Sequence, residues 1–93
     1  MEAELPLDRR DVLSEAAFIE QVVWRLPQPL AGSRHRFKYR RALVVNGECV
    51  MRYDNEAGKG DHRHIKDREE PYAFSGIDKL LDDFRADVER IMR

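Results

Sequence analysis

The stretch from Arg52 to His64, RYDNEAGKGDHRH, gathers two imidazoles, two guanidinium groups, one ammonium and several carboxylates within thirteen positions. These groups are what an RNA phosphodiester needs for cleavage without a metal. A base must take the 2′-hydroxyl proton as that oxygen attacks phosphorus. An acid must protonate the departing 5′-oxygen, and cations must stabilise the phosphorane. Histidine suits both proton transfers, because its ordinary pKa of about 6.5 lies near working pH and each transfer is typically worth about 10²–10⁴-fold. His62 and His64 are therefore the catalytic acid–base candidates. Asp54 is the carboxylate expected to orient an imidazole through its second nitrogen, with Asp61 as an alternative. Arg52, Lys59 and Arg63 are candidate phosphate contacts. Tyr53, like Tyr39, offers a ring on which a base can stack.

Each choice has a competing reading. His-x-His on a strand also suits two zinc ligands, with a third from Asp54, Asp61 or His35. No further His or Cys stands at a recognised spacing, so neither a metal nor a cofactor is expected. Gly58-Lys59-Gly60 is shorter than a nucleotide-binding loop and reads as a tight turn. The two histidines can equally be structural, and Arg34 to Arg41 a solvated face. Cys49 reads as a small buried hydrophobe and Trp24 as core.

The elements that must position these groups centre on one hairpin. Asn46-Gly47 separates RHRFKYRRALVV from ECVMRYDN, and both central residues of a type I′ turn need positive φ. With a two-residue loop, Leu43 faces Val50, Ala42 faces Met51, Arg41 faces Arg52 and Arg40 faces Tyr53. Arg41 opposite Arg52 supports an anion site, because like charges on one face repel unless something negative lies between them, whether a phosphate, Asp54 or a helix carboxylate. DHRHIKD is a third strand with His62 and His64 on one side. EEPYAF, 69–74, is one more short strand. AFIEQVVWRL, 17–26, fits strand or helix, and its β-branched and aromatic content favours a strand.

Ser75 reads as a helix N-cap with Asp78 as its capping-box partner. Beyond it Ile77, Leu80, Leu81, Phe84, Val88 and Ile91 fall on one helical stripe, with Asp87 among the solvated residues. The stripe must bury against the sheet. The fold class is α+β: an antiparallel β-meander of about four to five strands packed against a C-terminal amphipathic helix. Residues 1–93 form a single domain, with 1–11 weakly ordered, 17–74 the sheet and 75–92 the helix.

Length and composition agree. The chain has 93 residues, of which 42% are hydrophobic and 38% charged, a globular composition with room for one small core. A Rossmann unit, a (β/α)8 barrel and a kinase domain are excluded by size. The net charge of −1 hides a division: residues 1–33 carry −3, 34–68 carry +5 and 69–93 carry −3. A basic middle raises the local density of anions, nucleic acid above all, unless the acidic flanks fold back on it. The single cysteine and an N-terminus without an apolar run point to the cytoplasm.

GSRHRFKYR, NGECVMRYDNEAGKGDHRH and EEPYAFSGIDKLLDDFRADVER together resemble the TumE family. These small bacterial and archaeal proteins are labelled as the toxin component of toxin–antitoxin modules. The resemblance runs from about Ala17 to Arg90, and residues 52–64 are its most specific part. It implies a cognate antitoxin partner, a small DNA-binding protein encoded beside the toxin, and RNA as the target. No membrane partner is expected, and a homodimer stays open. The expected function is thus a toxin acting on nucleic acid by metal-independent, endoribonuclease-like chemistry, with Arg41, Arg52, Tyr53, Lys59 and Arg63 holding substrate. The alternative is a non-catalytic nucleic-acid-binding or protein-interaction module.

Overall fold

Asn46 and Gly47 take positive φ values of 53° and 78°, the conformation a type I′ turn demands. They join β3 (Phe37–Val45) to β4 (Glu48–Glu56) at the centre of the sheet. The structure is a computed structural model that describes residues 4–93, with side chains from Leu7 onward. On one side of this hairpin lie β1 (Glu4–Ser14) and β2 (Ala17–Arg25), and on the other β5 (Gly60–Ile65) and β6 (Arg68–Pro71). Every strand pairs with its sequence neighbours, giving a six-stranded antiparallel meander in the order β1 to β6. Helix α1 (Ile77–Ile91) completes an α+β fold. Among the described residues no helix is long and apolar enough to cross a membrane.

The strand count exceeds the four to five expected because of β1. Most of the segment expected to be weakly ordered, from Glu4 to Asp11, lies in this strand, while residues 1–3 fall outside the described residues. Its sequence, ELPLDRRDVLS, hides the pattern: Leu7, Arg9 and Asp11 share one face, and two of the three are charged.

The central ladder carries a bulge. Val44 pairs with Cys49, but Leu43 pairs with Met51, which leaves Val50 as an extra residue on β4. A one-residue shift exchanges the faces of everything beyond it. Arg41 therefore pairs with Tyr53, and Arg52 with Ala42. The expected Arg41–Arg52 and Ala42–Met51 pairs do not form. Bulges such as this one depend on how the rest of the sheet twists and packs.

The face bearing Tyr39, Leu43, Met51 and Tyr53 lies against α1, whose Leu80, Phe84 and Val88 complete the core. Gly76 rather than Ser75 is the N-cap, and no side chain caps the helix. Gly76 has φ 141°, a turn that L side chains rarely make. Asp87 is buried, not solvated. It lies one turn beyond Phe84 on the inward stripe, where its carboxylate accepts from Tyr53 Oη and from Arg63 Nη1 at 3.2 Å. Trp24 and Cys49, expected inside, are exposed, because both belong to strand positions the helix does not cover.

Candidate functional site

On the sheet face opposite α1, β4, β5 and β6 bring five polar side chains side by side. Arg52 pairs with His64 and Asp54 with His62 across the β4–β5 ladder, and His64 pairs with Glu69 across β5–β6. Residues two apart on a strand point the same way, so His62 and His64 share a face with Arg52 and Asp54. Arg52 Nε lies 2.9 Å from Asp54 Oδ2, and Arg52 Nη2 lies 3.1 Å from His64 Nε2. Glu69 Oε1 lies 3.7 Å from His64 Nε2 and 3.8 Å from His62 Nε2, and accepts from Lys59 Nζ at 2.9 Å. Lys59 reaches this group from the turn between β4 and β5.

The donors set the tautomers. A guanidinium only donates, so His64 presents an Nε2 lone pair to Arg52 and carries its proton on Nδ1. His62 Nδ1 donates to the Gly60 carbonyl at 3.2 Å, which leaves Nε2 as its second functional atom. The hydrogen bond from Lys59 holds the Glu69 carboxyl below its ordinary range, and Glu69 in turn raises the Lys59 ammonium. Arg52 Nε is buried without a hydrogen bond although Asp54 stands close. The carboxylate lies within ion-pair reach but off the N–H line, so this donor has room for another acceptor.

Three of the expected substrate contacts stand elsewhere. Arg41, Tyr53 and Arg63 lie on the helix-covered face, Arg41 because it alternates with Tyr39 and Leu43, Tyr53 because of the bulge and Arg63 because it alternates with the histidines. Tyr53 is fully buried, its ring edge-on to Phe84 at 5.4 Å, so no base can stack on it. Tyr39 is likewise buried and donates to Asp61 at 2.6 Å. Arg63 is paired with Glu70 and Asp87. Asp61 orients an imidazole, but that of His35, whose Nε2 lies 2.9 Å from Asp61 Oδ2. His35 Nδ1 accepts from the Phe37 amide, and its ring stacks on Phe74 at 3.8 Å. Both ring nitrogens are thereby committed to structure.

Glu69 and Arg40 belong to this face and escaped the sequence reading. Arg40 stands opposite Asp54 and is exposed. Glu69 is placed by a hairpin whose turn, Lys66-Asp67, contains no glycine. Lys66 supplies the positive φ of 54° itself. Strand β6 ends at Pro71 instead of running to residue 74.

Among the described residues no three His, Cys, Asp or Glu side chains are grouped so as to hold a metal ion. The arrangement can bind an anion through Arg52 and Lys59 and can move a proton at either imidazole. No curated protein and no solved structure matches this chain. A family model described as Toxin TumE matches residues 2–92, nearly the whole length, and the chain belongs to that toxin family.

Proposed function

We propose that this toxin acts on RNA by metal-independent transesterification at the open sheet face, with His62 and His64 as base and acid. The observation that supports the reading is that two imidazoles share one face of β5, each within 4 Å of the Glu69 carboxylate, with Arg52 and Lys59 beside them. A phosphate drawn to Arg52 and Lys59 competes with Asp54 and Glu69 for those cations. Once Arg52 turns to the phosphate, His64 Nε2 is released. His62 Nε2 then takes the 2′-hydroxyl proton as O2′ bonds to phosphorus. The P–O5′ bond breaks, and His64, having taken a proton from solvent at the freed Nε2, gives it to O5′. Asp54 and Glu69 steady the imidazolium charge that forms. The partner in this reading is an antitoxin that blocks the face or binds elsewhere on the chain.

The test is cleavage of a single-stranded RNA by purified protein in the presence of a chelator, alongside growth arrest in cells. Cleavage is expected to stop when the nucleotide 5′ of the cut carries a 2′-deoxyribose, and His62→Ala with His64→Ala should abolish both activities. A folded double variant that still arrests growth rejects the catalytic role of the histidines.

A second reading also has its own observation: Arg52 and Lys59 are each already paired with a carboxylate. That pairing suits a non-catalytic module that binds RNA or protein. It predicts salt-dependent RNA binding with the RNA left intact.

A further inference from the structure

A trough runs between β1 and α1, on the side of the sheet away from the histidines, with a volume of about 480 Å³. Leu7, Arg9, Asp11 and Leu13 form one wall, at the alternate positions of β1. Leu81, Phe84 and Val88 form the other, along one side of the helix. At its floor lies Arg41, only 7% exposed. Its Nη2 donates to Gln21 Oε1, and its guanidinium stacks on the Phe84 ring at 4.4 Å. Its Nε and Nη1 have no hydrogen-bond partner among the described residues.

A buried guanidinium without a hydrogen-bonded carboxylate is rare, because the loss of hydration is not fully offset. Burial pulls the Arg41 side chain down to about 10, so it stays charged at neutral pH. Asp11, the acidic group of the trough, accepts from Arg9 at 2.6 Å and Gln21 at 2.7 Å; its charge reaches Arg41 and partly offsets the burial, but no hydrogen bond joins the two. Arg85 adds a further positive charge at the rim. The trough therefore has an apolar wall along the helix, a mixed wall along β1, a surplus of cations and an unsatisfied donor at its floor.

Its shape separates a protein ligand from a small molecule. Small-molecule sites enclose most of their ligand. This one is open along its length and ends on Leu13, 44% exposed. It borders β1, whose outer edge pairs with no strand among the described residues. Exposed apolar side chains beside a free strand edge are the surface a polypeptide segment covers.

We infer that this trough is the docking site for an acidic, apolar segment of a partner protein, which sets a carboxylate on Arg41. The inference rests on the partner half of the reading above, that the toxin has an antitoxin, and not on the chemistry of the histidines.

The experiment uses the full chain with the antitoxin encoded beside it. Calorimetric affinity, thermal melting and amide hydrogen exchange are compared for wild type, Arg41→Met, Arg41→Lys and the His62→Ala, His64→Ala pair. Arg41→Met is expected to melt at or above the wild-type temperature, because Met fills the site without an unpaired charge, yet to bind at least tenfold more weakly. Arg41→Lys should recover part of that loss, and the histidine variant should bind as wild type does. Exchange should slow on binding across residues 7–13 and 81–88. Wild-type affinity in a folded Arg41→Met protein, or protection confined to the histidine face, overturns the docking site while leaving the antitoxin reading intact. Failure of wild type to bind the antitoxin overturns both. Protection of the trough in the free chain, accompanied by a dimer in gel filtration, assigns it to a second copy and overturns the inference as stated.

Discussion

Glu69 Oε1 lies 3.7 Å from Nε2 of His64, the residue opposite it across the β5–β6 ladder. The same oxygen takes the Lys59 ammonium at 2.9 Å. One carboxylate thus occupies the space an incoming phosphate would contest. Glu69→Gln keeps the shape and removes the charge. Affinity for a single-stranded RNA is expected to rise about three- to tenfold at low salt, with the log–log salt slope steeper by about 0.7 for the freed contact. Fluorescence anisotropy across a salt series measures both. If neither moves, Lys59 and Glu69 have no part in RNA binding.

Asp87 is buried on the inward face of α1, where Tyr53 Oη donates to it. Tyr53→Phe leaves the ring packed on Phe84 and deprives the carboxylate of a donor. Removing one partner of a buried polar pair costs about 1–3 kcal/mol. Arg63 at 3.2 Å and Arg90 still serve Asp87, which places the expectation at the lower end of that range. Urea denaturation should show an earlier midpoint with an unchanged slope. An unchanged midpoint would mean that Arg63 and Arg90 suffice.

The chain has three tyrosines, and the fold raises all of them above the ordinary phenol value of 10.0, burial being the first cause in each case. Hydrogen bonds to Asp61 and Asp83 add to the effect at Tyr39 and Tyr72. A folded-state pKa above the unfolded one gives stability that is complete below pH 10 and lost as pH climbs beyond it. Tyrosinate absorbance should therefore stay low until the protein unfolds in alkali, and should then rise together with loss of the circular dichroism signal. Titration of all three in the folded state near pH 10 would contradict this burial.

At the acid end the sign reverses. The hydrogen bond from Lys79, followed by that from Tyr72 at 2.6 Å, lowers the Asp83 carboxyl below its ordinary 3.8. A depressed folded-state pKa gives stability that is present above 3.8 and declines as pH falls through the lower folded value. Asp83→Asn is expected to flatten the melting temperature as pH falls below 3.8, and to lower it at neutral pH. Parallel acid profiles for the variant and wild type would remove Asp83 from the acid response.

Local chemistry decided a good part of this protein. Asn46-Gly47 specifies its turn because few residues tolerate positive φ there, and the stripe from Ile77 to Ile91 specifies a helix because its period admits nothing else. The alternation of His62 and His64 puts them on one face, since the side-chain period of a strand is two. Which other groups share that face was a matter for tertiary structure. The Val50 bulge sends Tyr53 under the helix and Arg52 to the histidine face, and no local signal marks it. Glu69 reaches the imidazoles only through the β5–β6 register. Asp87 turns from a surface residue to a buried one because Tyr53 and Arg63 are there to receive it. Periodicity and turn preference act over a few residues and are written in the chain. Register, and the covering of one face by a distant helix, depend on contacts between segments far apart in sequence, and only the assembled fold decides them.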